Sequence, residues 1–194
     1  MKKVQNVLLS GVGGQGIILA SKVLSVGLIE AGYDVKMSEV HGMAQRGGSV
    51  TTQVRFGEKV YSPIIGLGQA DILVAFEKME GGKWLEYLNP NGKMVINDFK
   101  IPSAPILAGD VLYPEGIIAE IKTKIDDVIV VDGPGLAEEV GNPKTMNIAI
   151  MGSLIKALGL DEIVDWEKVI GKVVKEKFID VNVKAFNVGM AQVK

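Results

Sequence analysis

Residues 4–9 form a short apolar run of β-forming character, and a glycine turn follows at residues 10–16. Residues 17–31 then place Ile17, Leu24, Leu28 and Ile29 mostly on one side of a helix, and Gly32 stands where helices commonly stop. Residues 33–37 read as a second strand. A strand, tight turn, helix and strand in this order predict the opening of a doubly wound α/β domain.

The pattern breaks at residues 38–48, where Val40 and Met43 are the clear apolar side chains among three glycines; this stretch reads as an irregular loop. Residues 49–56 alternate, with Val50, Thr52, Val54 and Phe56 on one face and Ser49, Thr51, Gln53 and Arg55 on the other. Such alternation predicts a half-exposed strand of antiparallel character, so the mostly parallel sheet should be mixed. Gly57-Glu58 looks like a hairpin turn into Lys59-Val60-Tyr61. Further on, residues 71–76 predict a buried strand, 83–88 a helix, Asn89-Pro90-Asn91-Gly92 a turn, and 93–97 a strand. Pro102, Pro105 and Pro114 leave little regular structure across 98–114. A helix at 115–124 and a strand at 127–131 follow, and Asp132-Gly133-Pro134-Gly135 reads as a turn. Asn142-Pro143 marks a helix entry leading through Met146, Ile150, Leu154 and Leu158. Asp165 is expected to cap a helix over 166–177, with a last helix from residue 181. Without repeats, low-complexity tracts or charged linkers, residues 1–194 read as one domain.

Composition narrows the chemistry. With 47% hydrophobic and 23% charged residues, the chain is an ordinary globular mix, which argues against disorder. Its 21 basic and 23 acidic residues are interspersed, so no basic stripe exists to track a nucleic acid. There is no cysteine, which excludes disulfides and an iron–sulfur cluster held by this chain. A single histidine makes a typical zinc site a poor expectation, so a redox metal would belong to a partner. No apolar run has the length of a membrane span and none resembles a leader, so a cytoplasmic location is expected.

Gly11-Val12-Gly13-Gly14-Gln15-Gly16 satisfies G-x-G-x-x-G after a strand and before a helix, and Glu39 sits where a dinucleotide fold places its ribose-binding acid. Three readings stay open: an NAD or FAD site, a turn binding another anionic group, or a turn made of glycine only for close packing. The glycine loop and alternating strand after residue 37 argue against a plain nicotinamide fold, which would continue with a helix and a parallel strand. That loop carries Glu39, His41, Gly42, Gln45, Arg46, Gly47 and Gly48. Arg46 suits a carboxylate, phosphate or pyrophosphate through its bidentate fork, or an ion pair between subunits. His41 has no nucleophile beside it to serve, so a structural hydrogen bond is its plainer role. The turn and the loop should lie together at the C-terminal ends of adjacent strands. Asn147 could approach the turn, Glu77 reads as a solvated carboxylate, and Phe178, Phe186 and Met190 read as core side chains or an interface. No acid, base and nucleophile set is evident.

The two glycine motifs in this order resemble the γ-type domain of the 2-oxoacid:ferredoxin oxidoreductases, and the resemblance runs along nearly all of the chain. Gly11 to Gly16 match its opening turn and Arg46-Gly47 its second signature. The Ser38 to Val50 stretch is similar to the β subunit of the indolepyruvate branch, while the Tyr-Gly-Pro lead of the pyruvate and 2-oxoglutarate branches is absent. Tyr61-Ser62-Pro63-Ile64-Ile65, Ala70-Asp71, Phe76-Glu77 and Asn147 match as well. The resemblance implies a three-layer α/β/α sandwich. It implies a non-catalytic subunit whose larger partner holds thiamine diphosphate, magnesium and [4Fe–4S] clusters. In such complexes a 2-oxoacid is decarboxylated, coenzyme A takes the acyl group and electrons pass to ferredoxin. It further implies that the turn and the Arg-Gly loop face the partner, near the cofactor or coenzyme A. Against it stand a self-contained NAD- or FAD-binding oxidoreductase and a ligand-free scaffold, and the isolated chain could pair with itself through an exposed partner face.

Overall fold

A computed structural model describes residues 3–42 and 47–193. The chain opens with β1 (Gln5–Val12), α1 (Ile17–Glu30), β2 (Asp34–His41) and β3 (Ser49–Gly57). It continues through β4 (Ala70–Ala75), α2 (Lys78–Lys83), β5 (Leu88–Asn97), α3 (Ala104–Ala108), α4 (Ile117–Lys122) and β6 (Asp127–Val131). The last part is helical: α5 (Gly133–Glu139), α6 (Met146–Ala157), α7 (Trp166–Val173) and α8 (Ile179–Met190). The strands form a sheet of order β2-β3-β1-β4-β5-β6. β1, β4, β5 and β6 run parallel, and β3 is antiparallel to both of its neighbours.

Period-two alternation along the central strands divides the core. Val7, Leu9, Ile72 and Val74 pack against α1, α6 and α7 on one face, whereas Leu8, Leu73, Ala75 and Ile96 pack with Ile121 of α4 on the other. Helices on both faces of a mixed sheet give the three-layer α/β/α sandwich. α6 is buried on nearly every side, as its almost unbroken apolar sequence demands, because α8 covers its outer face. The two helices meet at Gly152 and Gly189, where a Cβ on either would strike a backbone carbonyl of the other helix. No helix among the described residues is long and apolar enough to cross a membrane.

Several local expectations are corrected. Residues 38–41 are not loop but the end of β2, pairing with Gln53 to Val50 of β3. At a sheet edge, backbone pairing suffices and apolar alternation is not required. β3 is not half-exposed: it lies between β2 and β1, and its polar Thr51 and Gln53 are buried. Gln53 is satisfied by accepting the backbone N–H of Ile65. The expected Lys59–Tyr61 strand does not form, since Val60 instead donates to the Asp34 carboxylate at 2.9 Å and Arg55 fastens the carbonyls of Ser62 and Ile64. The predicted 83–88 helix is replaced by the end of α2 and a 3₁₀ turn at Leu85–Tyr87. Residues 89–92 are absorbed into β5 at an irregularity where its register with β4 shifts. The Asp132 turn is the capped start of α5, with the Asp132 carboxylate accepting from the Gly135 N–H at 3.0 Å. α3 forms within 98–114, α7 stops at Val173, and Ile29 is exposed. Phe186 belongs to the core, while Phe178 is partly exposed.

Candidate functional site

The turn after β1 is held by its own glutamine. Gln15 accepts the Val12 N–H through Oε1 and donates through Nε2 to the Phe76 carbonyl, both at 2.7 Å. Its side chain thus ties the C-terminal end of β1 to that of β4, where doubly wound sheets change direction and bind ligands. Gly16 is the residue before α1 and adopts φ +78°, in the left-handed region. Its carbonyl accepts the Asn147 amide at 3.0 Å, and a Cβ there would lie 2.5 Å from Asn147 Nδ2. Asn147, 3% exposed at the start of α6, therefore reaches the turn as the sequence allowed.

The two glycine motifs meet. Gly13 donates to the Gly48 carbonyl at 2.8 Å, and Gly47 donates to the Gly13 carbonyl at 3.2 Å. They are not on adjacent strands, as β3 lies between β1 and β2. They meet because Val12 of β1 pairs with Ser49 of β3, whose chain enters from the loop. Beside them lies a cavity of about 520 Å³, lined by Gly13, Gly14, Gly16, Ile17 and Ile18 with Glu39, His41 and Val50. Glu39 and His41 are exposed on β2, and His41 Nδ1 lies 3.1 Å from the Gly42 carbonyl. Gln45 and Arg46 lie outside the described residues.

This arrangement favours an anion from one side. The N-terminus of α1 has no side-chain cap and no acidic residue in its first turn, and its first N–H groups lack intrahelical partners. Glu39 contributes the opposite charge across the cavity and suits hydroxyl groups. The site sets the glycine turn and the apolar Val12, Ile17, Ile18 and Val50 against a strand edge carrying Glu39 and His41, and no Ser, Thr, Cys or Lys lines it among the described residues.

A second polar cluster was missed in the sequence. Glu77, read there as solvated, is fully buried, and Glu80 is 5% exposed. Glu77 caps α2 by accepting the Glu80 N–H at 2.9 Å, while the Glu80 carboxylate accepts from Ser49 and from the Trp84 indole. The Tyr113 hydroxyl also donates to Glu77. Burial, and then the bond to this carboxylate, push the Tyr113 pKa above the ordinary tyrosine range. The Glu77-x-x-Glu80 spacing at a strand end was a readable signal for a helix start.

Residues 6–192 match the model of the pyruvate ferredoxin/flavodoxin oxidoreductase family. The chain is similar to indolepyruvate oxidoreductase subunit IorB of Pyrococcus horikoshii, at 37% identity over 99% of this chain and 97% of that protein. It is less similar to the pyruvate/ketoisovalerate oxidoreductases common subunit gamma of Thermococcus kodakarensis, at 25% identity over 77% of this chain and 76% of that protein. In fold it is similar to the 2-oxoglutarate:ferredoxin oxidoreductase of Magnetococcus marinus, with a TM-score of 0.73 at 20% identity. That match covers 99% of this chain and 31% of the longer one.

Proposed function

This chain belongs to the pyruvate ferredoxin/flavodoxin oxidoreductase family, and from that premise we propose that it is a one-domain small subunit of an indolepyruvate-type 2-oxoacid:ferredoxin oxidoreductase. The reaction is the oxidative decarboxylation of an aryl-pyruvate to its acyl-coenzyme A, with electrons leaving to ferredoxin. The larger partner holds thiamine diphosphate, magnesium and the iron–sulfur clusters, since a chain without cysteine offers no thiolate to a cluster. Identity of 37% to an indolepyruvate subunit, against 25% to a pyruvate/ketoisovalerate one, supports the aryl-pyruvate branch.

The observation that carries this reading is the joining of the two glycine motifs by two backbone hydrogen bonds at the rim of one cavity. The rim is the face offered to the partner. The uncapped start of α1 supplies positive character for coenzyme A phosphates or for a partner carboxylate, the same groups that an arginine such as Arg46 suits by its chemistry. Gln15, Gly16 and Asn147 hold the turn in shape and take no chemical step. A self-contained NAD- or FAD-binding oxidoreductase is the second reading, favoured by Glu39 sharing the cavity with the turn. The intervening antiparallel β3 departs from the strand order of that fold.

Arg46→Ala in the reconstituted complex is expected to lower coenzyme A-dependent viologen reduction, or the affinity between subunits, by about tenfold or more. The thermal midpoint of the isolated chain should stay within about 2 °C of the parent. A grossly unfolded isolated variant would make Arg46 a structural residue and remove it from the site.

A further inference from the structure

Between β5 and α4 the chain makes an excursion that carries α3, and no residue from 98 to 116 is buried. Leu107, Val111 and Leu112 are 74%, 53% and 92% exposed. With Ile101, Pro102 and Ile106 only half-buried, the segment has little packing to offset the entropy of ordering it. Beyond the local hydrogen bonds of α3, its order leans on the bonds at its two ends.

Those ends converge on one atom. The Ile101 N–H donates to Glu77 Oε1 at 3.3 Å, and the Tyr113 hydroxyl donates to the same oxygen. The other oxygen of Glu77 is occupied by the cap of α2. These three partners are all donors, the pattern an acceptor-only carboxylate satisfies. Two further contacts at the first end are weaker or less specific: the Lys78 N–H donates to the Phe99 carbonyl at 3.0 Å, and Lys78 Nζ pairs with the half-exposed Asp98 at 2.7 Å. The Tyr113 phenol is protonated at neutral pH at its ordinary pKa, and burial with the bond to Glu77 extends that donor state further into the alkaline range. Under these ends lies a cleft of about 450 Å³, walled by Lys78, Phe99, Lys100, Tyr113, Pro114 and Ile117.

We propose that residues 102–112 are a strap over the C-terminal ends of β4 and β5, and that the buried Glu77 is its lock, holding both ends at once. Releasing the Tyr113 end frees the strap and opens the cleft, while the sheet stays intact. The strap is separate from the glycine-lined cavity and does not depend on the function proposed for that cavity.

Backbone hydrogen exchange of the full chain, resolved by peptide mass spectrometry, tests the lock. Tyr113→Phe removes one hydroxyl and keeps the ring. It is expected to speed exchange across residues 102–112 by about tenfold, with β4, β5 and α6 unchanged. Glu77→Gln should loosen the same segment further and also fray α2. Exchange in Tyr113→Phe equal to the parent overturns the proposal, whatever Glu77→Gln does. Faster exchange spread evenly over β4, β5 and α6 also overturns it, because Tyr113 would then support the whole fold.

Discussion

Gly189→Ala is expected to destabilise the chain by about 3 kcal/mol or more, enough to lower its urea midpoint sharply. The added Cβ would land on the carbonyl of Ala149 in α6, and the reciprocal contact places Gly152 against the carbonyl of Phe186. A clash with a side chain is relieved by a new rotamer. A clash with helix backbone is relieved only when the two helices move apart. That movement loses contacts along the whole α6–α8 seam, including the 2.7 Å bond from Ser153 Oγ to the Gly189 carbonyl and the packing of the buried Ala185 and Phe186. Gly171→Ala is the control. It sits in α7, where the nearest atom to an added Cβ is Ile179 Cδ1 at 3.7 Å, an ordinary van der Waals distance, so alanine there should be neutral or stabilising by about 0.5–1 kcal/mol. Equal losses at Gly189 and Gly171 would show that the close seam is not what sets the cost.

Gly16→Ala should cost about 2–3 kcal/mol, from two separable causes. The left-handed conformation at φ +78° costs an L-residue about 1–2 kcal/mol. The new Cβ also displaces the Asn147 amide and breaks its bond to the Gly16 carbonyl, worth about 1 kcal/mol. Gly14→Ala, at φ +106° with nothing within 4 Å of the added Cβ, isolates the backbone cost alone. Adding Asn147→Ala to Gly16→Ala should remove the clash, so the double variant should be less destabilised than the two single costs added together. Strict additivity in chemical denaturation would mean that Asn147 and the turn do not act on each other.

Much of the architecture was legible because local signals and tertiary packing agree. The strand, glycine turn and helix at the start carried their identity in residue spacing. The entry to α7 was readable from Asp165, which accepts the Lys168 N–H at 3.1 Å, whereas Asn142 accepts the Lys144 N–H at 3.0 Å to cap a 3₁₀ turn at Pro143–Thr145 that leads into α6, and α6 itself has no side-chain cap. What was hidden depends on neighbours distant in sequence. Ser38 to His41 join β2 only because β3 is there to pair with them. Thr51 and Gln53 look like a solvated face, yet β3 is inserted inside the sheet and its polar side is covered. Gly133-Pro134-Gly135 concealed α5 because turn residues are also tolerated in the first turn of a helix, behind the Asp132 cap. At the candidate site, the sequence brought the two glycine motifs to one place but misjudged how, since it put them on neighbouring strands. Glu77 looked solvated because nothing near it in sequence announces that Ile101 and Tyr113 return to cover it.

The most direct measurement is affinity purification of the tagged chain from its native cells, followed by cofactor analysis and assay with indolepyruvate, coenzyme A and a viologen acceptor. The expected result is a larger, cysteine-rich partner carrying iron–sulfur clusters and thiamine diphosphate, with viologen reduction that requires coenzyme A. A lone chain that retains NAD or FAD and needs no partner would contradict the subunit assignment and make the Gly11–Gly16 turn a dinucleotide site.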